Sequence, residues 1–290
     1  MDLMYPLEGR FEPEYGHNVF AWDGTSFPMS NSAALMRAID AFACDPRDVT
    51  IVGFPKSGTN WVQAMVQKLY DDWGTLRVSE VVPHIDIGSF AGVSGHEYCA
   101  AAPHPRLMKS HSHFRHMPSA FREQRVGRVI CVTRNPKDVC DSYYNQLDTL
   151  RAHQEFTLDW DQWVEHFIAG RVCYGPWLDH AGRWLELGTG DHVLHLRYED
   201  MKRDVRVTLD RIVDFVGRPV GPGRVDAVIE QTGFVRMQQA EGARLYNGPV
   251  ARREGRVGGW REHFTPAQSE AFDRAIVAPL AARGITFDFG

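Results

Sequence analysis

Three short runs of apolar, largely β-branched residues, each followed by a segment with helical spacing, constrain the fold of this chain most strongly. The runs are Val49–Phe54, Gly127–Thr133 and His192–Tyr198. Strands that alternate with helices form a parallel sheet, whose ligands bind at the carboxyl ends of the strands. We therefore predict an α/β fold with a central, mostly parallel sheet flanked by helices. Apolar residues three and four positions apart predict the helices that follow the runs: Thr59–Asp72, Asp138–Arg151 and Asp204–Val216.

The chain shows no sign of division into several domains. Its 290 residues contain no internal repeat, low-complexity tract or long block of like charge. We predict one domain over residues 31–290, preceded by an N-terminal segment over residues 1–30. The tryptophan-rich stretch between Leu158 and Leu187 is predicted to be helical and buried rather than part of a cofactor site. Residues 240–259 are rich in glycine and arginine, which predicts a long mobile loop, and such loops in compact domains are usually either functional or disordered.

The composition excludes several classes of protein. A hydrophobic content of 43% and a net charge of −5 indicate a folded globular protein and argue against a nucleic-acid binder that relies on bulk positive charge. No apolar run approaches the roughly 20 residues of a membrane-spanning helix, and the N-terminus lacks the features of a secretory signal. The five cysteines are scattered and lack a Cys-x-x-Cys pair, which predicts free thiols in a cytoplasmic protein.

A glycine-containing loop, Gly53–Trp61 (GFPKSGTNW), joins the first predicted strand to a helix. Such a loop presents backbone N–H groups and a helix N-terminus to an anion, and Lys56 adds a full positive charge. The segment is not a Walker A loop, because the lysine precedes the second glycine instead of following it. It nevertheless suits a phosphate or a sulfate.

A second cationic segment, Val132–Tyr144, follows the next predicted strand. Arg134 leaves the strand at the ligand-binding edge of the sheet, and Ser142 lies further along the helix. A guanidinium and a hydroxyl group form a plausible second anion site. The alternative is a structural ion pair between Arg134 and Asp138, and the residues alone leave both possibilities open.

The segment Pro105–His113 contains a lysine and a histidine on one face of a short predicted strand. Lys109 and His111 are two positions apart, and alternate residues of a strand share a face. Histidine is well suited to removing a proton from a hydroxyl group near neutral pH. A metal site formed by His111, His113 and His116 is the weaker alternative, because no aspartate lies between His111 and Arg134 to complete it.

A fourth segment, Arg253–Thr265 (REGRVGGWREHFT), combines arginines with glycines that expose the backbone. Such a loop could fold over a phosphate group. Two anion sites, a basic loop and a lysine–histidine pair together suit a nucleotide that carries phosphates at both ends.

These segments resemble the signature segments of the cytosolic-type sulfotransferases, which use 3′-phosphoadenosine 5′-phosphosulfate (PAPS) as donor and release 3′,5′-ADP (PAP). The resemblance runs from about Ala34 to Gly290, and the motifs occur in the order of the family. The matching segments are Pro55–Trp61, Lys109–His111, Arg134–Tyr144, Leu196–Met201 and Arg253–Trp260.

The resemblance implies a single-domain enzyme with a P-loop-like phosphosulfate loop, no metal requirement and a small-molecule acceptor. His111 matches the general base, Lys56 and Lys109 would lie near the transferred sulfuryl group, and Ser142 completes the implied catalytic set. The residues implied for the 5′-phosphosulfate and the adenine side are Lys56, Ser57, Gly58, Thr59, Asn60 and Trp61. Those implied for the 3′-phosphate are Arg134, Ser142, Arg253 and Gly255. The nucleotide pocket would be lined by Tyr198, Thr232, Phe234 and Met237.

The resulting hypothesis is sulfuryl transfer to a hydroxyl or an amine of a small apolar or aromatic acceptor, with residues 1–30 on the acceptor side. The alternatives are a P-loop nucleotide kinase and a catalytically silent nucleotide-binding protein. Glu254 stands where the family is usually basic. The stretch Arg261–Glu270 resembles the family's dimer motif, but Arg261 replaces a lysine and Pro266 a valine, so a homodimer is left open.

Overall fold

The computed structural model describes residues 8, 10–12, 15–70, 83–88, 93–147, 156–233 and 255–290. The strands are β1 Arg10–Glu12, β2 His17–Trp22, β3 Thr25–Pro28, β4 Val49–Val52, β5 Leu107–Ser110, β6 Arg128–Thr133 and β7 Val193–Arg197. The first helices are α1 Ala33–Asp40, α2 Thr59–Leu69, α3 Gly95–Ala101, α4 Ser119–Gln124, α5 Pro136–Gln146 and α6 Trp160–Ile168. Later helices are α7 Trp177–Glu186, α8 Tyr198–Arg203, α9 Val205–Val216, α10 Arg224–Gln231, α11 Pro266–Phe272 and α12 Ala278–Ala281, the last two joined by a π-helical turn, Asp273–Val277.

A four-stranded parallel sheet in the order β5-β4-β6-β7 forms the centre of the molecule. The predicted α/β class and parallel sheet are therefore confirmed. From β4 the chain passes to β5 on one side and then returns across β4 to β6 on the other. In open α/β sheets, ligands bind where the strand order reverses in this way. The carboxyl ends of β4, β5 and β6 meet at this point.

The two faces of the sheet are apolar because successive side chains of a strand point to opposite sides. In β4, Val49 and Ile51 pack into one buried cluster with α2 and α9, whereas Val52 packs into another with Trp184 of α7. The same alternation separates Ile130 from Cys131 in β6. Strands that are buried on both faces read as continuous apolar runs, which is the pattern found in the sequence.

Two of the three predicted helices begin at residues whose side chains cap their free backbone N–H groups. Asp204 accepts a hydrogen bond from Val207 N and precedes α9, which ends at Gly217 in the left-handed conformation. Asn135 caps α5 in the same way, and Pro136 occupies the first turn. Helix α5 therefore starts two residues earlier than predicted, because a proline is tolerated in a first turn, where its missing N–H costs nothing.

A separate three-stranded antiparallel sheet, β1-β2-β3, occupies much of the N-terminal segment, for which the sequence predicted no structure. It is joined to the main body by backbone and hydroxyl contacts: Tyr174 N donates to Ser26 O (2.7 Å), and Ser26 Oγ donates to Val172 O (2.6 Å). Phe27 of β3 is fully buried against Tyr174, with 5.8 Å between the ring centroids.

Three of the four tryptophans between Leu158 and Leu187 are core residues, as predicted, and Trp160 is half-buried against the core. Trp163, Trp177 and Trp184 are each at most 1% exposed, and Trp184 packs on the sheet. All five cysteines are free thiols, which confirms that the chain has no disulfide framework. In the described part of the chain, no helix is both long and apolar enough to cross a membrane.

Trp163→Ala tests this core. Its ring is fully buried and its Nε1 donates to Cys140 O (3.0 Å). We expect the substitution to lower the free energy of unfolding by about 3–5 kcal/mol, because it leaves a cavity and removes a buried hydrogen bond. Urea denaturation measures the change. Val207→Ala, on the exposed face of α9, is the control and should change stability by less than about 0.5 kcal/mol.

Candidate active site

The loop between β4 and α2 has the geometry of an anion site. Lys56 (φ +71°) and Gly58 (φ +104°) adopt left-handed conformations, and α2 starts without a side-chain cap. Its first backbone N–H groups are therefore free of a side-chain acceptor. Ser57 Oγ is buried and has no hydrogen-bond partner among the described residues. A buried hydroxyl and an uncapped helix N-terminus fit an anionic ligand that would satisfy both.

Gly58 is required at the end of this loop for two reasons. Its left-handed backbone is costly for other residues, and a Cβ at this position would lie only 2.7 Å from Cδ2 of Tyr198. The ring of Tyr198 in turn lies 5.9 Å from that of Trp61. The glycine thus lets α2 begin against the aromatic side of the site.

Two lysines meet at this loop, Lys56 from the loop itself and Lys109 from β5. Lys109, 2% exposed at the end of β5, donates from Nζ to Oδ1 of Asn60 on α2. Burial lowers the pKa of Lys109 to about 7, with Asp86 opposing the shift and Lys56 adding to it. Burial and the charge of Arg134 lower the pKa of Lys56 to about 8. Cations that lower one another's pKa form a site that a polyanion stabilises.

His111 follows β5 and is fixed on three sides. Its Nδ1 lies 2.5 Å from Gly53 O, its backbone N donates to Asp86 Oδ2 (2.8 Å), and its carbonyl accepts from Nε2 of His180 (3.1 Å). Because a carbonyl oxygen only accepts, Nδ1 carries the proton and Nε2 keeps the free lone pair. Burial, with the charges of His84 and Lys109, holds the pKa of His111 well below its usual value. The imidazole is therefore neutral near pH 7.

Sequence reasoning missed Asp86, which organises the segment around His111. This fully buried carboxylate accepts at Oδ2 from Ser110 Oγ (3.0 Å) and Ser112 Oγ (3.0 Å) as well as from His111 N. Residues 83–85 pair with β5, since Ile85 N donates to Lys109 O (2.9 Å). In the sequence, Asp86 follows a histidine and an isoleucine and belongs to no recognisable motif. Its role becomes visible only in the folded chain, where residues 83–85 pair with β5.

His84 was missed for the same reason and lies beside the predicted base. Its ring centroid is 4.8 Å from that of His111, and its Nδ1 is 3.7 Å from Asp86 Oδ1. Burial and the charge of Lys109 keep the pKa of His84 well below its usual value. The surroundings of His111 are thus more polar than the sequence indicated.

The three histidines of the metal alternative point to different partners. His113 Nε2 contacts Tyr174 O (2.7 Å), and His116 Nε2 lies 3.3 Å from Asp23 Oδ2. His111 Nδ1 is held by Gly53 O. Among the described residues, His111, His113 and His116 do not form a group whose ligand atoms lie close enough together to share a metal ion, so the geometry does not support this alternative.

Arg134 lies at the end of β6 and bridges two segments of the site. Its Nη1 donates to Lys56 O (3.3 Å) and its Nη2 to Arg256 O (3.1 Å), while the guanidinium stacks 4.4 Å from the ring centroid of Tyr198. The ion pair with Asp138 is present at 3.5 Å. Nε of Arg134 is buried without a partner in the described part of the chain. The ion pair is therefore confirmed, and it leaves donor capacity on Arg134, so the anion site at this residue stays a prediction.

Other predicted residues also meet at this edge. Trp61 Nε1 donates to Thr232 O (3.0 Å), and the Tyr198 hydroxyl donates to Gly255 O (2.8 Å). Ser142 is half-buried on α5 and makes no hydrogen bond with Arg134 among the described residues. Gly255–Gly259 of the predicted mobile loop is held in place by such contacts. The remaining predictions, Phe234, Met237, Arg253, Glu254 and the loop over residues 240–254, lie outside the described residues.

Comparison with known proteins gives one consistent family. Residues 46–283 match the family model of the sulfotransferase domain. Mouse sulfotransferase 1A1 is 32% identical over 269 residues, which cover 88% of this chain and 92% of the mouse protein. Guinea pig sulfotransferase 1E1 is 32% identical over 250 residues, which cover 81% of this chain and 84% of that protein.

Solved structures agree with this result. Mouse sulfotransferase SULT7A1 complexed with PAP matches with a TM-score of 0.79 and 26% identity, covering 92% of this chain and 95% of that chain. Retinol dehydratase in a complex with retinol and PAP shares the fold, with a TM-score of 0.78 and 18% identity, covering 97% of this chain and 93% of that chain.

The buried histidines around the site predict a loss of stability in mild acid. Burial lowers the pKa of His113 and that of His116 to about 4 and keeps the pKa of His180 well below its usual value. Below about pH 6.5 the unfolded chain therefore binds more protons than the folded protein. As the pH falls through this range, the free energy of unfolding decreases by up to about 1.4 kcal/mol per pH unit for each histidine. Urea unfolding at pH 7.5 and 5.5 measures this loss. The slope should be shallower in His113→Gln, and an unchanged slope would contradict the explanation.

Proposed function

Because the chain belongs to the PAPS-dependent sulfotransferase family, we propose that its active site is the edge of the sheet where Lys56, Lys109, His111 and Arg134 meet, and that His111 is the general base. The observation that carries the proposal is the contact between segments far apart in sequence. His111 Nδ1 reaches Gly53 O, and Lys109 Nζ reaches Asn60 Oδ1. A predicted base and a predicted anion loop are thereby joined in one site.

The described residues fit the donor. Ser57 Oγ and Arg134 Nε are buried groups that lack partners in the described part of the chain, and both are donors that suit phosphate or sulfate oxygens. We assign the 5′-phosphosulfate to the loop and the start of α2, and the 3′-phosphate to Arg134 and Ser142 together with Gly255 and Arg253. The adenine side would be bounded by Trp61, Tyr198 and Thr232, with Phe234 and Met237.

The lysines have a role that follows from their charge. PAPS supplies an activated sulfuryl group. As the bond between sulfur and the donor's phosphate oxygen breaks, Lys56 and Lys109 would stabilise the negative charge left on that oxygen. The pKa values of about 8 for Lys56 and about 7 for Lys109 rise when an anion binds nearby, so the bound donor favours the charged form of both. Each positive side chain that is held in place in this way contributes a factor on the order of 10²–10³ to the rate.

His111 would take the acceptor's proton at Nε2 as the new bond to sulfur forms. Its Nδ1–H remains on Gly53 O, which fixes both the tautomer and the direction of the ring. Asp86 would act as a positioning residue, because it holds the backbone N–H of His111 and the hydroxyl groups on either side. This arrangement needs no metal to activate the acceptor.

The acceptor would approach from the side of the N-terminal sheet. Tyr174 lies 5.4 Å from the ring of His111 and 5.8 Å from that of Phe27 on β3. An aromatic wall beside the base suits a small apolar or aromatic molecule that carries a hydroxyl or an amine. The imidazole of His84 adds a polar group beside that wall.

Thermal unfolding with nucleotides tests the donor. We expect PAP to raise the melting temperature without magnesium, because a ligand that binds only the folded state stabilises it, by about 2.7 kcal/mol at 100 times its Kd. Transfer of labelled sulfate from PAPS to a panel of phenols, alcohols and amines completes the test. A larger shift with Mg-ATP than with PAP would support the kinase instead, and PAP binding without any transfer would support a silent protein.

His111→Ala tests the base. We expect kcat to fall by about 10²–10⁴, because general-base catalysis is lost, while PAP still raises the melting temperature as in the wild type. The matched control is His192→Ala, at the opposite edge of the sheet, where Nδ1 contacts Gly127 O (3.2 Å). The control should keep full activity. Turnover that survives in His111→Ala would remove His111 from the role of base.

A further inference from the structure

A short extended segment, Ile285–Gly290, which we call the strap, lies across one side of the molecule. Its sequence, ITFDFG, alternates apolar and polar residues, and the structure follows this alternation. Ile285, Phe287 and Phe289 are half-buried, whereas Thr286, Asp288 and Gly290 are exposed. An extended chain places alternate side chains on opposite faces, so the strap buries one face against the domain.

The strap is anchored first beside β7. Arg197 Nη1 donates to Thr286 O (2.8 Å), and the ring of Phe287 packs at 5.6 Å from that of Trp177. Arg203 pairs with Asp288 at 3.1 Å. These contacts fix the direction of the strap before it reaches residues 258–261.

Arg261 joins the strap to the far end of the loop. Its Nη1 donates to Phe289 O (2.7 Å) and its Nη2 to Gly290 O (2.6 Å), and Trp260 Nε1 donates to Phe289 O (3.1 Å). The two N–H groups of one planar guanidinium thus bind two successive carbonyls. A lysine, with a single ammonium group, does not reproduce this geometry.

The backbones of the two segments also touch. A Cβ at Gly258 would lie 3.0 Å from Phe289 O, and one at Gly290 would lie 3.0 Å from Gly258 Cα. Phe289 further shares a cation with Trp260, since Lys137 Nζ lies 5.5 Å from the ring of Phe289 and 4.4 Å from that of Trp260.

The segment that the strap holds, residues 255–261, forms backbone hydrogen bonds with Asp138, Arg134 and Tyr198. Gly258 N and Trp260 N donate to the carboxylate of Asp138 (both 3.0 Å), which also pairs with Arg134. Earlier in the same segment, Arg256 O accepts from Arg134 and Gly255 O accepts from the Tyr198 hydroxyl. Residues 255–261 therefore lie between Asp138 on one side and the strap on the other.

We propose that Arg261 and Phe289 are positioning residues for donor binding: through the strap they hold residues 255–261 so that Arg134 and Gly255 face the 3′-phosphate. This rests on the proposed function. It gives Arg261 an intrachain role within the stretch that resembles a dimer motif. The strap makes no described contact with His111, Lys56 or Lys109, so its effect falls on donor binding and not on the chemical step.

The test compares Arg261→Ala, Arg261→Lys and Phe289→Ala with the wild-type chain. We expect Arg261→Ala to raise the KM for PAPS about tenfold, which corresponds to the loss of about 1.4 kcal/mol of binding, with kcat at saturating PAPS within twofold of the wild type. Arg261→Lys should raise KM by a smaller factor, because it keeps the charge but loses the two-carbonyl geometry. Phe289→Ala should also raise KM, and PAP should stabilise all three variants less than the wild type.

Arg274→Ala is the matched control, because in the described part of the chain Arg274 is exposed and pairs with the equally exposed Glu270 at 3.9 Å. It should keep the wild-type KM. A lower melting temperature in Arg261→Ala with an unchanged KM for PAPS would make the strap purely structural and overturn the proposal. A change in oligomeric state, measured by light scattering, that accounts for the loss of PAPS affinity would also overturn the proposal. Failure of the proposed function would differ from both, since the wild-type chain itself would then show no response to PAP.

Discussion

The whole site depends on the close approach of three strand ends at Gly53. Its carbonyl fixes Nδ1 of His111, its N–H faces Ser110 O at 3.4 Å, and a Cβ at this position would lie 2.5 Å from Val132 O. A larger residue would push β6 away from β4, and the lysine loop would separate from His111. Parallel pairing brings the ends of the strands together, and the absence of a side chain at Gly53 leaves room for this close approach.

The site brings three cationic side chains together with only partial compensation by the carboxylates of Asp86 and Asp138. Lys56, Lys109 and Arg134 lie near one another, and burial lowers the pKa values of both lysines. Asp86 and Asp138 hold backbone N–H groups with their carboxylates, so they fix geometry more than they cancel charge. Such a site is preorganised for a ligand with several negative charges, because it does not have to reorganise when that ligand binds.

The sequence could place a residue at the site where that placement depends on the residue's own segment. The lysine loop, Arg134 at the end of β6 and the pair Lys109 and His111 follow from strands that end beside polar residues. Asp86, His84 and Arg261 could not be found in this way. Their partners lie 25, 27 and 28 residues away in the sequence for Asp86–His111, His84–His111 and Arg261–Phe289, and only the folded chain brings them together.

The sequence by itself determined the α/β class, the alternation of strands and helices around the main sheet, and the family, because apolar periodicity and local motifs are properties of contiguous residues. The tertiary structure alone decided the tautomer of His111, the lowered pKa values of the lysines and the contact between the strap and residues 255–261. These depend on burial and on distances between segments that are remote in the chain. The N-terminal sheet belongs with them, because its short strands are stabilised by Val172, Tyr174 and Phe156 and carry little signal of their own.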